Sequence, residues 1–290
     1  MKEVRKAVIT AAGWGTRFLP ITRSLPKEML PLVDKPLIQF SIEEAVQAGI
    51  EQVIVVTAPG KKAIADYFRG SLELESFLEK KGDRERLRQL RELPKITDIR
   101  FVLQREPRGL GHAILMAART VGDEPFAVIL PDDIIDSEVP VLNNMVAVYE
   151  KYGAAVLAVE QVSDEDTWKY GIIKPRKIAA KIHRVLDLVE KPGPFAAPSR
   201  LGIVGRYILT PQIFDVLKVT PPGMGNEIQL TDALSRLLSR QKLYAYEFTG
   251  VRYDTGTPLG WLKANIALAL RRDDISPGLK DYLKMLADKS

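Results

Sequence analysis

A Rossmann-like α/β fold, with a mostly parallel central sheet flanked by helices, is predicted by three features of the sequence. Strand-like and helix-like patterns alternate through the first half, the order that builds parallel sheets with helices on both faces. The opening apolar run Ala7-Val8-Ile9-Thr10 reads as a buried strand that leads directly into small residues and glycines. A chain of 290 residues, 46% of them hydrophobic, can bury the substantial core that one large α/β domain needs.

Each element follows from its local pattern. After the opening strand, residues 37–48 read as a helix with Gly49 at its C-cap. Residues 52–57 (QVIVVT) form a β-branched strand and 61–69 a helix. Two further strands, 99–103 and 126–130, are separated by a helix at 112–120. The charge-rich insertion 72–95 interleaves Glu79, Asp83, Glu85 and Glu92 with its basic residues, which marks a solvated helix face rather than a basic nucleic-acid arm. The second half is richer in strands, at 154–160, 171–174, 182–190, 202–209 and 243–248. Helices fit 210–217, 227–239, 259–270 and the tail near 279–287. No repeat, low-complexity tract or clean linker divides the chain, so 1–290 is read as a single domain.

Composition narrows the function. Charges are mixed in sign with a net of +5, which favours an anionic small molecule over a nucleic-acid surface. The absence of cysteine excludes disulfides, a thiol nucleophile and thiolate metal sites. Two histidines, His112 and His183, exclude a multi-histidine zinc centre. The N-terminal apolar run is too short for a signal peptide and no stretch approaches the roughly 20 apolar residues of a membrane span. A soluble cytoplasmic protein is expected.

The segment from Ala11 to Pro36, AAGWGTRFLPITRSLPKEMLPLVDKP, organises the rest. Ala11, Ala12, Gly13 and Gly15 let a ligand come close to backbone amides, and a glycine loop can turn those amides toward an anion. Arg17 adds a charged fork and Lys27 a compact ammonium, in a segment stiffened by prolines 20, 26, 31 and 36. Amides and fixed cations past a strand's carboxyl end suit a nucleoside triphosphate. The segment lacks the third glycine of a dinucleotide fingerprint. It is not a Walker A loop, and Gly60-Lys61 lacks that motif's other residues.

As a whole string, the segment resembles the G-x-G-T-R…P-K signature of the sugar-1-phosphate nucleotidylyltransferases. Its P-K-E-M-L-P…K-P variant is similar to the bacterial UTP–glucose-1-phosphate uridylyltransferase branch. The resemblance runs from the opening loop to Asp254. It implies a nucleotide-binding half over about 1–150, a sugar-binding half over about 151–257 and C-terminal helices over about 258–290. The implied reaction is uridylyl transfer from UTP to glucose 1-phosphate, giving UDP-glucose and pyrophosphate. A thymidylyltransferase shares most of these motifs, a silent UDP-glucose-binding paralogue would need no chemistry, and a glycosyltransferase would release UDP. Arg23 stands where the family pattern leads us to expect lysine.

Site residues divide by what they can hold. Asp132 follows the 126–130 strand, where a carboxylate suits Mg²⁺, and Asp133 is its ambiguous neighbour. Asp254, in VRYDTGT, reads on its own equally well as a turn or cap residue before a helix. The resemblance implies that Asp132 and Asp254 are the metal aspartates. Gln104, with a donor and an acceptor, can pair with a pyrimidine edge, and Gly109 would let a base lie on the backbone. The resemblance implies that Gln104 and Gly109 contact the base, with Ala11, Ala12 and Gly13 beside it and Glu28 reaching the same pocket. It also implies a sugar-phosphate pocket: Glu190 and Gly171 on hydroxyls, Lys191 on the phosphate and Gly205 against the sugar. His112 is read as a structural residue rather than a general base, and Glu227 as a helix-start carboxylate or a supporting residue near the pocket. Arg17 and Lys27 would neutralise the leaving group, and a homodimer or homotetramer is expected from the resemblance.

Overall fold

The computed structural model describes residues 2–289. Strand β1 (Lys6–Ala11) enters the opening loop, whose end folds back as the short ribbon β2 (Pro31–Leu32) and β3 (Lys35–Pro36). Then come α1 (Leu37–Gln47), β4 (Gln52–Thr57), α2 (Lys62–Tyr67), α3 (Leu72–Lys81) and α4 (Arg84–Glu92). The first half continues with β5 (Asp98–Leu103), α5 (Leu110–Met116), α6 (Ala118–Val121), β6 (Phe126–Ile129), β7 (Asp133–Asp136) and α7 (Val141–Tyr152). The second contains β8 (Val156–Gln161), β9 (Gly171–Lys177), β10 (Ile182–Glu190), β11 (Leu201–Leu209), α8 (Gln212–Val219) and α9 (Leu230–Leu237). It closes with β12 (Leu243–Glu247), β13 (Val251–Asp254), α10 (Pro258–Ala269) and α11 (Ser276–Ala287).

One nine-stranded sheet runs through both halves in the order β5-β4-β1-β6-β11-β8-β12-β10-β9. β5, β4, β1 and β6 pair in parallel, as the alternating pattern predicts. β8 and β12 also run parallel to each other, while β10 and β11 run against their neighbours. β9 and β10 pair antiparallel because the link 178–181 between them is too short for the crossover that parallel strands need.

Successive side chains of β1 feed two different cores. Val8 packs with Ile54, Val128 and residues of α5, α8 and α9 on one face. Ala7 and Ile9 pack with Val53, Val55 and residues of α1 and α7 on the other. Helices therefore cover both faces, and a third cluster ties the opening loop to α10 through Leu30, Leu32, Ile134 and Ala264. Trp261 Nε1 donates to Pro31 O at 3.0 Å, and Val33 N to Asn265 Oδ1 at 2.9 Å.

Several elements differ from expectation. The 72–95 insertion is two helices, broken where Gly82 takes φ 75° and where Asp83 caps the second by accepting from Arg86 N at 3.2 Å. The expected 112–120 helix is split at Ala117, and the 227–239 helix starts only at Leu230 because Glu227 is extended. Strands β7 and β13 had no counterpart in the sequence reading, yet they pair as an antiparallel ribbon with Asp254 opposite Asp133.

β11 is buried along its whole length and carries Arg206, only 1% exposed. Its Nε and Nη2 donate to Glu44 Oε2 at 3.0 and 2.7 Å. Nη1 donates to Leu130 O at 3.0 Å and Nη2 to Asp133 O at 2.8 Å, the carbonyls of the β6–β7 turn. Removing one partner of such a pair leaves a buried charge uncompensated. Glu44→Ala is expected to lower stability by about 3 kcal/mol or more, read as a fall in the urea midpoint.

Candidate active site

Because β1, β4, β5 and β6 are parallel, their carboxyl ends all deliver loops to one edge of the sheet. The opening loop, Lys61, Gln104 and Asp132 meet there. Three single turns of 3₁₀ helix, Thr16–Phe18, Ile21–Arg23 and Lys27–Met29, stiffen the opening loop. Thr22 Oγ1 donates to Gly15 O at 2.9 Å and draws the second turn back to the start of the first.

Lys27 Nζ lies 2.5 Å from Asp132 Oδ2. Burial pushes the Lys27 ammonium down, but Asp132 and Glu28 outweigh it and hold its pKa above the ordinary 10.5. Burial likewise pushes Asp132 up, and Lys27 with Arg17 behind it holds the carboxyl below its ordinary 3.8. Both groups are charged at neutral pH.

The β7–β13 ribbon places Asp254 beside this pair. Thr255 fastens the two turns, its N and Oγ1 each donating to Asp132 O at 2.8 Å. Gly256 marks the point of convergence: a Cβ there would stand 2.9 Å from Asp132 Oδ2, 3.0 Å from Asp254 Oδ1 and 3.4 Å from Arg17 Nη1. Arg17 Nη1 also donates to Gly256 O at 3.4 Å. The missing Cβ leaves a gap. Asp132 Oδ2 accepts from Lys27 Nζ and Asp254 Oδ1 from Gly256 N at 3.0 Å, so Asp132 Oδ1 and Asp254 Oδ2 are the hard carboxylate oxygens left beside this gap, and they fit a divalent cation such as Mg²⁺. Among the described residues no group of three or more His, Cys, Asp or Glu forms a closed cage. A cation here would take its remaining oxygens from water and substrate. Asp133 is not part of that donor set, since Oδ2 accepts from Gly205 N at 2.8 Å and Oδ1 from Arg252 Nε at 2.6 Å.

On the other side of Lys27, Glu28 is buried against Lys61, whose Nζ donates to Oε1 at 3.0 Å, Oε2 at 2.9 Å and Ala11 O at 2.8 Å. Burial raises the Glu28 carboxyl and lowers the Lys61 ammonium, each against the pull of its partner. Sequence reasoning passed over Lys61 because Gly60-Lys61 is no Walker motif. Its place after β4 was the available signal. Ala11 and Ala12 are buried beside this pair, and Gly13 faces open space. Gln104 lies next to Gly109, against which Glu227 packs.

In the second half, Gly171 of β9 sits opposite Glu190 of β10, and Lys191 follows with its N donating to Tyr170 O at 3.0 Å. Lys191 holds φ 45°, rare outside glycine and often found at functional positions. Its Nζ is 3.4 Å from Glu190 Oε1. Arg252, also overlooked in the sequence, joins this group to the carboxylates: Nη1 donates to Glu160 Oε1 at 2.7 Å and to Tyr170 OH at 3.0 Å.

A family model described as nucleotidyl transferase matches residues 6–270. The chain belongs to the nucleotidyl transferase family. Within that family, it is 48% identical over 286 residues to the UTP–glucose-1-phosphate uridylyltransferase of Staphylococcus epidermidis, covering 99% of each chain. It is 47% identical over 289 residues to the Bacillus subtilis enzyme of the same name, covering 100% of this chain and 99% of that one. Among solved structures, a UDP-glucose pyrophosphorylase complexed with UDP-glucose superposes with a TM-score of 0.86 at 43% identity, covering 93% of this chain and 100% of the other. UTP-bound UGPase from Acinetobacter baumannii gives a TM-score of 0.88 at 39% identity over 97% and 98%. This nucleotidyl transferase thus has the fold of its relatives throughout.

The Lys27–Asp132 pair has a pH signature. A carboxylate with a depressed folded pKa contributes stability that is present above its unfolded value and lost as pH falls through the folded one. The stability gap between wild type and Lys27→Met is expected to be widest near about pH 7 and to narrow below about pH 4. Urea denaturation across that range checks it, and a gap that stays constant with pH would contradict the pairing.

Proposed function

We propose that this chain is a UTP–glucose-1-phosphate uridylyltransferase, taking the uridylyl group of UTP to glucose 1-phosphate and yielding UDP-glucose and pyrophosphate. The observation that carries this reading is end-to-end identity of 47–48% with enzymes of that name. The cluster of Arg17, Lys27, Asp132 and Asp254 around Gly256 supports it chemically. Structural kinship to a glucose-1-phosphate thymidylyltransferase is only 22% identical and speaks for the fold alone.

The chemistry suits a site without a histidine or cysteine nucleophile. The attacking group is a phosphate oxygen whose second pKa is about 6, so it is already ionised at neutral pH. Repulsion between two polyanions is the obstacle, and the residues at hand address it. Asp132 and Asp254 would hold Mg²⁺, which would supply positive charge against the repulsion between the two phosphates. Arg17 and Lys27 neutralise charge gathering on the pyrophosphate. Lys27 exchanges its bond to Asp132 for one to substrate oxygens when the nucleotide enters. Ala11, Ala12, Gly13 and Gly15 present backbone to the nucleotide, while Gln104 and Gly109 meet the base and Glu28 closes the pocket beside them. Glu190 and Gly171 bind sugar hydroxyls, Lys191 the sugar phosphate, and Gly205 lies under the sugar.

We also read the chain as one domain, on the support of a sheet shared by both halves, and as a cytoplasmic protein without nucleic-acid or membrane partners. No helix among the described residues is long and apolar enough to cross a membrane. A homodimer or homotetramer is favoured by an exposed apolar stripe on α10, where Leu259, Leu262 and Ile266 recur at helical spacing.

Pyrophosphate release with Mg²⁺ across UTP, dTTP, CTP, ATP and GTP, each against glucose 1-phosphate and its isomers, tests the assignment. Activity is expected with UTP plus glucose 1-phosphate, and preference for dTTP would overturn it. Lys27→Ala, Asp132→Ala and Gly256→Ala are each expected to lose about 10²–10³ in rate while keeping a cooperative melt. Leu262→Glu with Ile266→Glu is expected to reduce the mass seen by sedimentation to that of a monomer, and an unchanged mass would dismiss α10 as the interface.

A further inference from the structure

His112 and Gln104 form a buried contact that the reaction chemistry leaves unexplained. The amide nitrogen of Gln104 lies 3.2 Å from Gly109 O and 2.8 Å from His112 Nδ1. A backbone carbonyl can only accept, so the atom facing it is the NH₂ group and not the amide oxygen. Its second proton then points at Nδ1, which must be an acceptor, with the ring proton on Nε2. Burial favours that neutral ring, and Arg108 adds to it against the opposing pull of Glu106. Gly109 is itself held: Ile228 N donates to Arg108 O at 2.8 Å, and Gly111 N to Ile228 O at 2.9 Å. At φ 91° with Glu227 against it, residue 109 has no room for a Cβ, which would come 2.6 Å from Glu227 Cβ. Gln104 Oε1 takes no donor from the described residues, and it is not among the sealed polar atoms that lack a partner. It is the one hydrogen-bonding atom of this side chain left for a ligand.

We propose that His112 is a specificity-determining positioning residue, whose Nδ1 holds the Gln104 amide with its oxygen turned to the nucleobase. An oxygen there accepts from the N3–H of uracil. Cytosine carries a lone pair at N3, so the same oxygen faces an acceptor and the base is rejected. Were the amide to rotate, NH₂ would meet cytosine N3 and the discrimination would weaken. The proposal rests on the uridylyl-transfer reading and on Gln104 facing the base, and it adds the residue that sets the direction of the amide.

The test is the ratio of kcat/KM for UTP to that for CTP in wild type, His112→Phe and His112→Asn. Phenylalanine keeps a ring but offers no acceptor, and the ratio is expected to fall by roughly tenfold or more. Asparagine places an amide oxygen on the same γ carbon as Nδ1 and is expected to recover most of the ratio. Wild type is expected to lose at least about tenfold with N3-methyl-UTP, whose N3 carries no proton, and this holds as a test even if a variant fails to fold. An equal loss for UTP and CTP in His112→Phe, or undiminished use of N3-methyl-UTP, would overturn the role of His112. A wild type inert toward UTP would instead overturn the functional reading beneath it.

Discussion

A guanidinium shut away from water must be paired on every side, and Arg206 shows how much can hang on that requirement. From the centre of β11 it reaches Glu44 on α1 and the carbonyls of Leu130 and Asp133, so the β6–β7 turn is fixed from behind. That turn carries Asp132 toward Lys27 and Asp133 toward Arg252. Arg252 continues the chain of charges to Glu160 and Tyr170, next to the strand that bears Gly171. Opposite charges alternate from α1 to Glu160 of β8. Each buried member is tolerable only because the next is in place.

The front of the site works by a looser rule. Lys27 and Asp132 neutralise each other before any substrate arrives, and Glu28 does the same for Lys61. Charges held in this way are preorganised, so the Lys27 ammonium would need little rearrangement to meet another anion. The two pairs differ in access to water. Asp132 and Lys27 have side chains 26% and 20% exposed, whereas Glu28 and Lys61 are at 1% and 12%. The first pair is open to exchange, and the second serves as a fixed wall.

Much of this was legible in the sequence where a local pattern carried the information. Strands 52–57 and 182–190 appear with the bounds their β-branched, apolar runs suggest, and the motif residues of the opening loop do meet Asp132 and Asp254. β7 and β13 escaped notice because they are four residues each, begin or end in charge and offer no alternation to read. Gly82 hides in a helix-like charge pattern, and its left-handed backbone together with the Asp83 cap breaks the insertion in two. Arg206 looks like any strand arginine until Glu44, 162 positions away, is folded against it. Lys61 and Arg252 matter through such distant partners, and no spacing rule reports them.

The clasp between α10 and the opening loop bears on how the protein comes into being on the ribosome. Arg17 meets Gly256 across 239 positions, and Val33 meets Asn265 across 232. A nascent chain can build the parallel strands early, but it exposes the opening loop without its clasp until nearly all of β13 and α10 has emerged. Contacts this remote in sequence form late and slowly. The clasp therefore closes only after α10 has emerged, and a chain terminated before β13 carries Arg17 and Lys27 without the carboxylate of Asp254 beside them.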